Sequence, residues 1–228
     1  MENYKREFID FMVRSGVLTF GDFVTKSGRR TPYFVNTGNY KTGKQLERLG
    51  HFYATAIQSV MGDAFDNLYG PAYKGIPLCV SAAVALAREF GRDVTFTFNR
   101  KEAKDHGEGG ALIGHQYRGG ERVVIVEDVT TAGTSVRETV EILRHAAPAD
   151  RPALFAGLIV SVDRMERGTG EKSALAEIAE NFKVRTFAIV TLDEIVAHLH
   201  NKPLDGRVII DDAMKDRIDA YRAQYGAK

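Results

Sequence analysis

Hydrophobic and polar positions follow two periods along this chain. Residues 3–14 place Tyr4, Phe8, Phe11 and Met12 on one stripe, the spacing of an amphipathic helix, and Ser15-Gly16 ends it. Residues 17–35 read as short β-like pieces, Val17–Phe20 and Tyr33–Val35, around the basic turn Lys26-Ser27-Gly28-Arg29-Arg30. Thr42 with Gln45 three residues on is a capping box, opening a helix through Leu46, Leu49, Tyr53, Ile57 and Val60. Strands and helices then take turns. The pattern predicts strands at Asn67–Tyr69, Val94–Phe98, Val123–Val126, Ala153–Val162 and Val184–Val190. It predicts helices at Ile76–Phe90, Thr134–His145 and Ser173–Asn181, with Thr191 and Glu194 capping another. Asp211-Asp212 begins a terminal helix through Met214, Ile218 and Tyr221.

Apolar, β-branched strands alternating with helices mean an α/β fold. Its central sheet should be parallel, with a mixed edge, and flanked by helices on both faces. There is no repeat, low-complexity tract or proline-rich linker. We expect one domain over 1–228, with residues 1–35 as a small hood-like piece added to the core. Residues 99–120 depart from the pattern. Between Asn99 and Gly110 only Ala103 is apolar, and glycines stand at 107, 109, 110 and 114. Such a segment is too polar for a core and long for a plain connection, so a structureless lid is expected there.

Composition narrows the function more than the fold. Lys plus Arg is 31 and Asp plus Glu is 30, a net charge of +1. That argues against a generic nucleic-acid binder, which carries a basic excess. A hydrophobic fraction of 44% with 27% charged residues is that of a globular protein. The one cysteine, Cys79, excludes an intrachain disulfide and a cysteine-rich zinc site and suits a reducing compartment. The mixed-charge N-terminus lacks a following apolar run, and no stretch approaches the ~20 apolar residues of a membrane span. A cytoplasmic location, without membrane or nucleic-acid partners, is expected.

The most informative stretch is Val123-Val124-Ile125-Val126-Glu127-Asp128-Val129-Thr130-Thr131-Ala132-Gly133-Thr134-Ser135. A buried strand ends in two adjacent carboxylates, and a run of small and hydroxylated residues then opens a helix. Strand carboxyl ends are where open α/β sheets bind ligands. A helix start offers unpaired N–H groups and a partial positive charge, and small residues let a phosphate approach them. The acids suit sugar hydroxyls instead. Together they read as a site for a phosphorylated sugar. The Walker spacing is absent.

This stretch resembles the phosphoribosyl pyrophosphate (PRPP) motif of the type I phosphoribosyltransferases. Four more segments narrow the resemblance to the orotate phosphoribosyltransferase family. They are residues 20–34, which include Lys26-Ser27-Gly28-Arg29-Arg30-Thr31-Pro32-Tyr33-Phe34; Gly70-Pro71-Ala72-Tyr73-Lys74-Gly75-Ile76-Pro77; residues 100–110; and Val162-Asp163-Arg164-Met165-Glu166-Arg167-Gly168. They occur in the family's order, and the combination is specific where the PRPP motif alone is not.

The resemblance implies transfer of the phosphoribosyl group of PRPP to orotate. The products would be orotidine 5′-phosphate and pyrophosphate, a step of pyrimidine biosynthesis. It implies that PRPP meets Lys26, Tyr73, Lys74, Glu127, Asp128, Val129, Thr130, Thr131, Ala132, Gly133, Thr134 and Ser135, together with Arg100, Lys101, Lys104 and His106 of the lid. Orotate would meet Lys26, Phe34, Val35, Thr131 and Arg164. The catalytic set would be Lys104, which stabilises departing pyrophosphate, with Lys101, His106 and Asp128. A homodimer is implied, each lid acting in trans over the partner subunit's site. Mg²⁺ would ride on PRPP without direct protein ligands.

Read from pattern alone, Phe34 is a core residue, Lys26 a solvated turn lysine and Arg164 an ion-pair partner of Glu166 or Glu127. Two positions depart from many relatives, Val35 for a second phenylalanine and Glu127 for aspartate. A purine-type phosphoribosyltransferase would share residues 123–135 but not the other segments. A regulatory PRPP-binding protein would keep the pocket without turnover. Some relatives are fused to a decarboxylase barrel of about 250 residues; this 228-residue chain is expected to stand alone.

Overall fold

The computed structural model describes residues 1–25, 28–104, 110–130, 133–168 and 170–227, without the side chains of 102–104 and 110. A six-stranded sheet forms the centre. In chain order its strands are β3 (Asn67–Gly70), β4 (Thr95–Lys104), β5 (Gly110–Gly114), β6 (Arg122–Val126), β7 (Leu154–Asp163) and β8 (Arg185–Thr191). The spatial order is β5-β4-β3-β6-β7-β8, with every pair parallel except β4–β5. This is the expected mixed-edge α/β sheet.

Side chains alternate across β6 as the pleat requires. Val124 and Val126 face a core that includes α1 (Asn3–Arg14), α2 (Gly43–Met61) and α3 (Gly75–Phe90). Val123 and Ile125 face a second core that includes α4 (Thr134–Ala146) and α5 (Ala174–Phe182). Burial on both faces explains the unbroken apolar run of this strand. The predicted capping boxes are present, Thr42 with Gln45 on α2 and Thr191 with Glu194 on α6 (Leu192–Leu199).

The structure corrects the sequence reading at three places. First, among the described residues of 99–120, 99–104 and 110–114 are strand and not structureless loop. β4 continues through Lys104 and β5 returns beside it, pairing Phe98 with Ile113, Asn99 with Leu112 and Lys104 with Gly110. The polar run can be a strand here because the antiparallel neighbour holds it at both ends, with a register shift between Asn99 and Lys104, so no apolar face is needed. Second, the N-terminal piece is not set apart as a whole. Phe8, Ile9 and Met12 of α1 lie in the main core, and the covering element is the antiparallel hairpin β1 (Leu18–Val24) and β2 (Arg30–Val35). Third, a small hairpin, β9 (Pro203–Leu204) and β10 (Arg207–Val208), went unpredicted. The terminal helix α7 (Asp212–Tyr225), capped by Asp211, packs Tyr221 edge-on against Tyr33 of β2.

Candidate active site

The two acids after β6 are held first by their backbone. Glu127 N–H donates to the Ile159 carbonyl at 3.0 Å, and the buried Tyr53 hydroxyl donates to the Glu127 carbonyl at 2.7 Å. The Asp128 carbonyl accepts from Ser161 twice, from its N–H at 2.8 Å and its hydroxyl at 2.5 Å. β7 and α2 therefore fix where both carboxylates emerge. Both side chains are buried. Asp128 Oδ2 accepts from the Thr37 hydroxyl at 2.7 Å and from Lys74 Nζ at 2.9 Å, and Oδ1 accepts from Val129 N–H at 2.7 Å. Burial pushes the Glu127 carboxyl above its usual range; a hydrogen bond with Ser135 works against this and the Asp128 charge adds to it.

Gly133 caps α4 at φ 68°, a left-handed backbone that suits glycine, and a Cβ there would sit 2.9 Å from Ile178 Cδ1. Among the described residues no side chain caps α4, which suits its first N–H groups to a ligand, with Thr134 exposed beside them. Thr131 and Ala132 lie outside the described residues.

A second loop end lies alongside. Gly70 of β3 and Gly75 of α3 touch: a Cβ on Gly70 would be 2.3 Å from the Gly75 carbonyl oxygen, and one on Gly75 would be 3.0 Å from the Val126 carbonyl oxygen. Only glycine allows this approach. The Asn99 side chain accepts from Ala72 N–H at 2.9 Å and ties the loop to β4. Tyr73 is left 67% exposed, with Lys101 Nζ 5.0 Å above its ring. Lys74 reaches the acids.

Two adjoining hollows meet at Lys74. A cleft of about 650 Å³ lies under the β1–β2 hairpin and is lined by Arg29, Phe34, Lys74, Thr130, Arg164 and Glu166 among others. One of about 460 Å³ is lined by Thr37, Tyr73, Lys74 and Asp128 over a floor that includes Leu46, Leu49 and Leu78. A third, between β5 and α4, contains none of the predicted residues. Phe34 is 41% exposed and stacks on Phe23 at 5.7 Å, so it is a cleft wall and not the core residue that pattern alone suggests. Val35 is half-buried against the core. Arg164 Nη2 lies 3.7 Å from Glu166, and its buried Nε has no partner among the described residues.

The structure thus brings Phe34, Lys74, Thr130 and Arg164 to one cleft, and Tyr73, Lys74 and Asp128 to the hollow next to it. Glu127, Val129, Gly133, Thr134 and Ser135 follow on the β6–α4 turn. Arg100 and Lys101 stand on β4, Lys101 against Tyr73. Lys26 and His106 lie outside the described residues, as does the side chain of Lys104. Sequence reasoning missed Thr37, Tyr53 and Ser161, the residues that hold the acids. Nothing within a few positions of them signals that role.

A phosphoribosyl transferase domain model matches residues 36–191. An orotate phosphoribosyltransferase of Clostridium acetobutylicum is 60% identical over all of both chains, and that of Clostridium beijerinckii 58%. The structure of the Francisella tularensis orotate phosphoribosyltransferase superposes with a TM-score of 0.81 at 33% identity. That match covers 97% of this chain and all of the other. The matched domain contains the β6–α4 turn and the Lys74 loop, and full-length similarity adds the hairpin that walls the cleft; the chain belongs to the orotate phosphoribosyltransferase family of phosphoribosyltransferases.

Proposed function

We propose that this protein transfers the phosphoribosyl group of PRPP to orotate in pyrimidine biosynthesis. The observation that carries the reading is the pairing of two recognition surfaces. The N-terminus of α4 and the buried acids suit a ribose phosphate. Next to them lies a cleft with an exposed aromatic face, Phe34, and a guanidinium, Arg164.

The 5′-phosphate binds the N–H groups of the β6–α4 turn, where the helix start favours an anion. Glu127 and Asp128 accept from the ribose 2′- and 3′-hydroxyls, and Asp128 exchanges its bonds to Lys74 and Thr37 as the sugar enters. Lys74, released, faces the pyrophosphate. Orotate lies along Phe34 with its carboxylate on Arg164, which can hold it by two parallel hydrogen bonds. The orotate ring nitrogen attacks the anomeric carbon as the bond to pyrophosphate breaks, with inversion, and the proton it carried leaves to departing pyrophosphate or to Asp128. Lys101, Lys104 and Arg100 of β4, together with His106, stabilise the leaving charge. We place these lid residues over the partner subunit's site in a homodimer, and the enzyme in the cytoplasm, in keeping with its lone buried cysteine.

The donor set fits Mg²⁺ delivered by PRPP. Glu127 and Asp128 are the carboxylates at this strand end, already engaged by Ser135, Lys74 and Thr37, and Mg²⁺ readily keeps phosphate and water ligands. Bound there, it supplies charge neutralisation of the diphosphate.

The test is an assay with PRPP and Mg²⁺, following loss of orotate ultraviolet absorbance beside wells with hypoxanthine, adenine and uracil. We expect turnover of orotate alone, lost in Lys104→Ala. PRPP binding without turnover of any base would move the reading to a regulatory protein.

A further inference from the structure

We infer that Glu166 is a positioning residue for orotate, holding Arg164 and the β1–β2 hairpin in register with each other; this rests on the reaction proposed above. Its carboxylate accepts from the Tyr33 hydroxyl at 2.7 Å, the Tyr221 hydroxyl at 3.0 Å and Arg29 Nη1 at 3.2 Å, with Arg164 Nη2 at 3.7 Å. These donors come from the hairpin, from α7 and from the loop after β7. Glu166 is the point where the three meet, and its side chain is only 12% exposed.

The backbone prepares this meeting. Met165 has φ 54°, unusual for a side chain of its size, which turns the chain between Arg164 and Glu166. The Asp163 carboxylate accepts from Met165 N–H at 2.8 Å. The C-terminal end closes the loop from outside: Ala227 N–H donates to the Met165 carbonyl at 2.8 Å and Arg167 N–H to the Tyr225 carbonyl at 2.9 Å. The C-terminal region, which carries no motif, is therefore tied to the substrate-facing loop.

Charge gives the arrangement its consequence. Glu166 lies between Arg29 and Arg164 and offsets part of their charge, while Lys74 and Arg167 against Asp163 keep the cleft net positive for a substrate carboxylate. Arg164 Nε, buried without a partner, leaves a guanidinium edge unsatisfied, so among the described residues Glu166 supplies the ion pair that orients it. Tyr33 is adjacent to Phe34, so the same carboxylate sets the height of the aromatic wall. Removing the Glu166 charge should loosen both contacts to orotate and neither contact to PRPP.

Glu166→Gln is the direct test, with wild type assayed beside it. We expect the KM for orotate to rise about tenfold, as for a lost charged hydrogen-bond partner. The KM for PRPP and kcat should stay within about twofold, because no PRPP contact is touched. Tyr221→Phe removes one donor and leaves the charge, so it serves if Glu166→Gln does not fold; the orotate KM should rise about threefold, the low end for one hydrogen bond. Equal changes in both KM values, or an unchanged orotate KM in a folded variant, would overturn the inference while leaving the reaction intact. A wild-type protein inert toward orotate would overturn both.

Discussion

The strand-end site and the exposed residues beside it are built on opposite principles. After β6, both acids are buried, their carbonyls are taken by Tyr53 and Ser161, and Asp128 has a partner on each oxygen. Beside it, Phe34 on the β1–β2 hairpin and Tyr73 on the β3–α3 loop stand exposed against partners of their own, Phe23 and the β4 residue Lys101. Buried groups with several fixed partners keep one geometry, because each partner lost leaves a costly unsatisfied charge. Exposed side chains adjust at little cost. A reaction that must fix a sugar phosphate and also admit and release a flat base makes use of both.

If that contrast is right, the deepest loss of activity comes from the strand end. Asp128→Asn keeps the shape and removes the charge that Lys74 and Thr37 engage. We expect kcat to fall by about 100-fold or more while the protein melts as a folded domain. A fall under tenfold would mean that the strand end is scaffold and the chemistry sits elsewhere.

On the hairpin, Phe34→Ala should act on base binding alone. Loss of one aromatic face predicts a rise of about threefold to tenfold in the orotate KM, with the KM for PRPP unchanged. Because Phe34 is 41% exposed, the melting temperature should hardly move. A marked drop in melting temperature would show that the hairpin is as rigid as the strand end.

The smallest effect concerns stability. Burial raises the Glu127 carboxyl, so its ionisation works against folding: this group costs nothing below its unfolded value, costs more as the pH rises from there toward its raised folded value, and keeps that full cost above it. Glu127→Gln removes that cost. The variant should melt a few degrees above wild type at pH 7, and the gap should close as the pH falls toward about 4. An equal gap at both pH values would point to packing and not to buried charge.

Much of this fold can be read from neighbours in the chain. Thr42 with Gln45 and Thr191 with Glu194 cap their helices through bonds spanning three residues. The Val123–Val126 run marks a strand buried on both faces, and the acids and small residues after it mark the ligand end of the sheet. The β4–β5 pairing was less visible, because polar composition reports exposure and says nothing about a backbone that pairs with a neighbouring strand.

The sequence by itself determined the α/β architecture, the family and the strand end where the chemistry is placed, since caps, periodicity and motifs depend on residues a few positions apart. Tertiary structure alone decided which partners fix the charges. Thr37 and Asp128 are 91 residues apart, Tyr33 and Glu166 are 133, and Arg29 and Glu166 are 137. No local preference encodes such contacts. They follow from how α2, the hairpin and α7 close over the ends of the strands.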